Sequence, residues 1–269
     1  MKRQNAGFCC PEISHKAAMN QHLKPQTPQF PAITTLGVDG FLVSFGTKLT
    51  EPANRAALAF RAAIESADPT GLKETAPSLT SVFVRFDLAR TDHATLQTTL
   101  NTLLTQRDWY DAPVPEGRRR WYVPAAFGGE NGPQLGAAAE LAGLAPETAI
   151  AAICAAPLRV QTIGFAPGQP YLGALPPEWD IPRQTDLSPR VPEGALVVAI
   201  RQVVLFSVST PTGWRHVGQT ALRLFRPEQD TPFLLRPGDE VLFQRVSDAE
   251  LEQIRSNDPD GGAKSEGQR

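Results

Sequence analysis

The chain has little of what would hold it together covalently or through a metal: three cysteines and four histidines in 269 residues. Cys9 and Cys10 are adjacent and Cys154 stands alone in an apolar run. The expectation is therefore three reduced thiols, not a disulfide framework. His15, His22, His93 and His216 are scattered, and a metal site needs more Cys or His at close spacing, so none is expected. Charge of one sign is also lacking. Against 28 Asp and Glu there are 26 Lys and Arg, a formal net charge of −2, which gives no electrostatic reason to expect nucleic acid. No long hydrophobic run occurs. Met1–Arg3 is basic, but polar residues interrupt the positions after it, so neither a signal peptide nor a membrane span is expected and the cytoplasm is the default location. The phosphate loop Gly-x-x-x-x-Gly-Lys-Ser/Thr, the Gly-x-Ser-x-Gly elbow and His-Glu-x-x-His are all missing. Any nucleotide would need another kind of site, or one borrowed from a partner.

What is present divides into four stretches. Residues 1–31 are rich in Pro, Gln, Asn and Lys without sustained periodicity and are expected to be a disordered extension. Residues 32–160 alternate strand and helix signals. Gly40–Phe45 is a short apolar run, and Thr50 then offers an N-cap, with Pro52 in the first turn of a helix over Ala53–Ser66. Ser81–Asp87 is a strand. Leu96, Leu100, Leu103 and Leu104 form a helical stripe after an Asp92 cap. Tyr122–Phe127 is a further strand, and Pro133–Ala142 and Pro146–Ala155 are short helices with Pro early. The order suggests an α/β sandwich. Residues 161–256 carry short strand-like runs: Ala195–Val208, Trp214–Val217, Ala221–Phe225, Phe233–Leu235 and Glu240–Val246. Turns at Pro211-Thr212-Gly213 and Pro237-Gly238-Asp239 separate some of them, which argues for a closed or nearly closed β structure. Residues 257–269 are rich in Gly and charge and are expected to be a flexible tail.

The most unusual segment is Gly164-Phe165-Ala166-Pro167-Gly168-Gln169-Pro170-Tyr171-Leu172-Gly173. Three Gly and two Pro constrain the backbone while Phe165 and Tyr171 supply aromatic area. Such a loop suits close approach to an anion or carbonyl, or else is a rigid connector whose aromatics fill a core. Arg183 and Arg190 each follow a proline and fit carboxylate or phosphate binding, although isolated surface arginines are common. His216, next to Arg215 and close to Trp214, is a general base by its ordinary pKa or a half-exposed structural residue. Asp239 reads as a turn residue.

These segments carry a resemblance to a family. GFAPGQPYLGALP (Gly164–Pro176), Pro192-Glu193-Gly194, Pro211–Trp214, Val217-Gly218-Gln219-Thr220, Leu222–Phe225 and Leu235–Asp239 fall in the family's order. So do Leu36–Gly46, Pro77–Asp87, Phe127–Pro133 and Leu141–Pro146. Across residues 33–246 the chain resembles the group containing the 5-oxoprolinase B subunit, allophanate hydrolase subunit 1 and the kinase inhibitor KipI. The resemblance implies an α+β fold, an N-terminal α/β sandwich followed by a C-terminal cyclophilin-like β-barrel. It implies the small subunit of an ATP-dependent (Mg-requiring) complex that hydrolyses a cyclic amide. The partners implied are a large subunit of the same family and a third component, and in that system ATP activates the lactam for attack by water. Site residues expected to bind substrate or nucleotide are Gly164, Phe165, Pro167, Gly168, Pro170, Tyr171, Arg183, Arg190 and Gln202. Trp214, Gly218 and Thr220 are expected to serve a partner surface or the fold. No catalytic residue is assigned.

The departures from the family pattern are specific. Ile153 stands where relatives usually have His, Leu158 where they have Tyr, and Gln134 where they have Asp. A Gly-Gly-Gln-Thr-Gly-like stretch becomes Ile200-Arg201-Gln202-Val203-Val204. Losing an imidazole, a phenol and a carboxylate removes groups that bind or activate substrate. The alternative to a catalytic subunit is thus a KipI-like binding or regulatory protein acting on a histidine kinase or a partner subunit.

Overall fold

The structure, a computed structural model, describes residues 29–114 and 116–267. Most of the expected N-terminal extension, with Cys9, Cys10, His15 and His22, lies outside the described residues, as do residues 268–269.

The first lobe runs β1 (Ala32–Thr35), β2 (Gly40–Ser44), α1 (Glu51–Ala67), β3 (Leu72–Ser78), β4 (Ser81–Phe86) and α2 (His93–Leu104). Its four strands form an antiparallel sheet in the order β1-β2-β4-β3. The capping signals act as read. Thr50 accepts a hydrogen bond from the Ala53 N–H at 3.3 Å and Asp92 accepts one from Thr95 at 2.7 Å, so each helix begins where a side chain satisfies an unpaired N–H. Leu96, Leu100 and Leu103 turn inward with Phe41, Phe60 and Phe86 to make a core of this lobe's own.

The second lobe comprises β5 (Arg119–Phe127), α3 (Leu135–Leu141), α4 (Pro146–Ala155), β6 (Leu158–Ile163), β7 (Pro170–Gly173), β8 (Ser188–Val191), β9 (Ala195–Ala199), β10 (Gln202–Leu205), β11 (Thr210–Thr212), β12 (Arg215–Thr220), β13 (Glu240–Arg245), α5 (Asp248–Asn257) and β14 (Lys264–Gly267). Seven strands pair in the order β12-β9-β10-β7-β6-β13-β5, and a β12–β5 pairing closes them into a mixed barrel. Closure removes the free edges that an open sheet would expose. The short β8 and β11 form a separate antiparallel ribbon. The α+β class with a C-terminal barrel is as read from the sequence.

Three expectations need correction. The lobe boundary is not near residue 160, because β5 pairs in parallel with β13 and completes the barrel. Helices α3 and α4 pack on that barrel through Leu135, Ala138, Ile150 and Ile153. The tail is not loose throughout: Lys264–Gly267 pairs antiparallel with Arg119–Tyr122. A Cβ on Gly261 would lie 2.5 Å from the Ala221 carbonyl oxygen, so the chain is seated tightly before it joins the strand. Finally, Ala195–Val208 is a hairpin, not one run. Its turn residues Ile200 and Arg201 hold φ of 44° and 60°, where Gly or Asn is the usual sign.

Among the described residues no single helix is long and apolar enough to cross a membrane.

Candidate functional site

The unusual decapeptide is the hairpin loop from β6 to β7. Gly164 N–H donates to the Gln169 carbonyl at 3.0 Å and Gln169 N–H to Ala166 at 3.1 Å, while Pro170 sits opposite Ile163 in the ladder. Pro167 occupies the tip. Gly168 has φ of 72°, and a Cβ there would stand 2.8 Å from the Leu224 carbonyl oxygen. Its close approach is therefore to the chain's own backbone and not to a ligand. Gly164 faces open space. Phe165, also at positive φ (72°), leaves its ring 74% exposed.

From this hairpin Phe165, Gln169 and Tyr171 line a cleft on the barrel together with Arg183 and Trp214, with a cavity volume of about 110 Å³. Phe206 and Val204 form its inner wall. Tyr171 and Trp214 meet edge to face at 6.2 Å, and the Arg183 guanidinium lies 5.8 Å from the Trp214 ring centre. Gln169 is buried, and its Oε1 has no hydrogen-bond partner among the described residues. A buried carbonyl oxygen left unpaired costs roughly 1–3 kcal/mol, so it favours a ligand that brings a donor. Chemically the cleft offers apolar walls, the Gln169 amide, the Arg183 cation and the hydroxyls of Tyr171 and Thr212. Among the described residues its lining holds no thiol, imidazole or carboxylate.

The cleft gathers Phe165, Tyr171 and Arg183, expected to bind substrate or nucleotide, with Trp214, expected to serve a partner surface or the fold, and adds Gln169, which lies inside the same motif. The other expected residues lie elsewhere. Arg190 donates to Ser209 Oγ at 2.7 Å on the exposed ribbon. Gly218 is held against Ala126 O, 2.9 Å from where its Cβ would be. Thr220 donates to the Gly194 carbonyl at 3.1 Å, so both residues serve the barrel. His216 is buried with Nε2 unpartnered among the described residues, and burial pushes its pKa below the ordinary value near 6.5. It is 6% exposed and does not line the cleft. Asp239 is more than a turn residue. It is a fully buried carboxylate that accepts from Arg119 Nη2 at 2.5 Å, Trp121 Nε1 at 3.3 Å and the Arg236 N–H at 3.1 Å.

The substituted positions also find physical explanations. Ile153 and Leu158 are wholly buried in the barrel core, as are Val203 and Val204 nearby. Gln134 accepts the His216 N–H at 2.8 Å through Oε1 and donates through Nε2 to Gln184 Oε1 at 2.9 Å. A carboxylate could make the first bond but has no proton for the second.

Gln202 belongs to a second and larger cleft, of about 770 Å³, between the lobes. At its floor Gln202 Nε2 donates to Gln161 Oε1 at 2.9 Å, and Gln161 Nε2 reaches Glu51 Oε1 at 3.4 Å. Glu51 in turn pairs with buried Arg159 at 2.8 Å. Asn54 donates to the Gln161 carbonyl at 3.0 Å, so α1 and β6 are tied together beneath the cleft. Among the described residues no three His, Cys, Asp or Glu side chains cluster closely enough to hold a metal ion.

Comparison with known proteins agrees with this architecture. The model of the carboxyltransferase domain, subdomains C and D, matches residues 31–235. The 5-oxoprolinase B subunit of Bacillus subtilis (strain 168) is 34% identical over 223 residues, 80% of this chain and 93% of that protein. A protein of the same name from Escherichia coli O157:H7 is 37% identical over 139 residues, covering 51% of this chain and 64% of its own. The crystal structure of TTHA0988 is similar at a TM-score of 0.64 and 32% identity, over 77% of this chain but 40% of that one.

Proposed function

The chain belongs to the carboxyltransferase-domain family, subdomains C and D, and from that premise we propose that it is the small subunit of a 5-oxoprolinase-type complex. In this reading the barrel cleft recognises a cyclic amide that carries a carboxylate. The observation that supports it most is the buried Gln169 Oε1 without a partner, in a cleft shared with Arg183 and Trp214. A lactam N–H satisfies the amide oxygen, the carboxylate pairs with the guanidinium, and the flat ring lies along the aromatic walls.

ATP, carried with Mg, supplies activation of the lactam carbonyl when bound. This chain's residues bind and orient the lactam and exclude water from its face. Besides Gln169 and Arg183 the cleft supplies the hydroxyls of Tyr171 and Thr212; in this reading the groups that move protons come from the large subunit of the same family or from the third component.

The competing reading is a non-catalytic, KipI-like binding protein. It is favoured by Ile153 and Leu158, which put hydrocarbon in the core where relatives carry polar groups. Calorimetric titration with 5-oxoproline separates the two. The lactam reading requires saturable binding that Gln169→Leu weakens by about tenfold, equivalent to ~1.4 kcal/mol. No heat with either protein would favour the regulatory reading.

A further inference from the structure

Arg183 is the one cation among the residues lining the barrel cleft. It is exposed, and among the described residues its guanidinium has the Trp214 ring beside it but no hydrogen bond or ion pair. A long side chain without an anchor of its own loses rotamer freedom when it binds, so what it can reach depends on the backbone that carries it. We infer that Gln134 and Gln184 are positioning residues for this cleft: joined end to end, their amides clamp the Arg183 segment to the barrel and fix the reach of its guanidinium. The inference rests on the lactam reading, in which Arg183 takes the substrate carboxylate.

The amide pair has a direction, and the backbone sets it at both ends. His216 N–H donates to Gln134 Oε1 at 2.8 Å, which turns Gln134 Nε2 toward Gln184, whose Oε1 accepts it at 2.9 Å. That contact leaves Gln184 Nε2 to donate to the Trp214 carbonyl at 3.2 Å. A backbone N–H and, two residues earlier, a backbone carbonyl are thus bridged by two carboxamides in series, each accepting at one end and donating at the other. A carboxylate at either position breaks the series, because it has no proton to donate. Ser188 Oγ lies within reach of both amides, at 3.2 and 3.3 Å, so the first residue of β8 is tied in as well. Gln134 is itself well seated. Its N–H donates to the His216 carbonyl at 2.9 Å, and its carbonyl accepts the Ala138 N–H of α3 at 3.0 Å.

The segment so held runs from Pro182 to Leu187 and has no helix or strand of its own, yet it gives both Arg183 and Leu187 to the cleft. Its backbone is bonded to the approach to β12 at two points. Arg215 Nη1 donates to the Pro182 carbonyl, and Gln184 N–H donates to the Gly213 carbonyl at 2.7 Å. A Cβ on Gly213 would stand 3.2 Å from Gln184 O and 3.8 Å from Arg183 Nε, so the segment lies directly on the Pro211–Trp214 turn. The amide pair adds a second attachment, to the start of α3. The result is a guanidinium 5.8 Å from the centre of the Trp214 ring, the ring that Tyr171 meets edge to face. Removing the pair leaves the two backbone bonds in place and frees the segment from α3, so it loosens the cation without unmaking the barrel.

Calorimetric titration of the full chain with 5-oxoproline tests this through a double-mutant cycle. Arg183→Ala is expected to bind about tenfold more weakly than the parent, which checks the lactam reading by itself. Gln184→Met, which keeps the side chain's length and loses its polar atoms, is expected to bind about fivefold more weakly, with a thermal midpoint within a few degrees of the parent. Gln134→Glu keeps the acceptor for the His216 N–H and loses only the donor, and a similar loss of binding is expected. A positioning role works through the guanidinium, so either change made in the Arg183→Ala background should weaken binding no further. Losses that are equal with and without Arg183 would mean that the amides serve only the fold, and would overturn the inference. So would parent-like binding by Gln184→Met. In both of those cases a weakened Arg183→Ala leaves the lactam reading standing, whereas parent-like binding by Arg183→Ala removes that reading and the inference with it.

Discussion

At the scale of single residues, space and charge separate groups that serve the fold from groups that serve a ligand. Gly168 belongs to the first kind: at positive φ and with the Leu224 carbonyl 2.8 Å from a would-be Cβ, it has no room for a side chain. Gly168→Val is expected to cost about 2 kcal/mol or more, read as a fall in the thermal midpoint rather than a pure loss of activity. Gln169 belongs to the second, since its buried oxygen has no hydrogen-bond partner among the described residues. His216 makes a third case. Burial lowers its pKa from near 6.5, so the folded state takes up its proton only at lower pH than the unfolded chain does. Its contribution to stability is complete above pH ~6.5 and is lost as pH falls below that value toward the folded pKa. Thermal midpoints between pH 8 and 5 should therefore drop on the acid side, and His216→Leu should flatten that part of the curve.

At the scale of elements, the sequence shows local structure and hides distant pairing. Thr50, Asp92 and the single early proline of α4, Pro146, announce helices that begin within a residue or two of the expected places, because a cap is chemistry contained in four residues. The strand over Tyr122–Phe127 was equally visible, but not its destination. Its partner β13 lies 120 positions along the chain in the Arg120–Glu240 pairing, and nothing in the local pattern encodes that. The same holds for β14, whose Gly- and charge-rich composition resembles a tail until β5 gives it a ladder. The turn at Ile200-Arg201 carries no turn residue at all, so the hairpin was read as one run. For the candidate site, the aromatic and arginine positions were legible as a motif. The role of Gln169 was not, since an unpaired buried oxygen exists only in three dimensions. Asp239 shows how such an element is secured. Its carboxylate, at the entry to β13, ties Arg119 and Trp121 of β5, so Asp239→Ala is expected to destabilise the protein by about 3 kcal/mol. A urea titration checks this.

At the scale of the whole molecule, the first lobe's core meets the barrel, which holds two hydrophobic clusters, across polar contacts. Asn54, Glu51 and Thr162 link the first lobe to the barrel, and the lobes stay separate hydrophobic clusters. That arrangement leaves one cleft on the barrel and one between the lobes, each with its own polar groups: Gln169, Tyr171, Arg183 and Thr212 in the first, Lys48, Glu51, Asp180 and Arg201 in the second. In the proposed reading the chain binds and positions a substrate, and association with the other subunits completes the chemistry. The most direct measurement is ATP-dependent release of glutamate from 5-oxoproline by this chain assembled with its large subunit and third component. Turnover that needs all the proteins, with Arg183→Ala raising the 5-oxoproline KM about tenfold at little change in kcat, is the predicted result. Turnover that persists without this chain, or a KM indifferent to Arg183, would contradict the account.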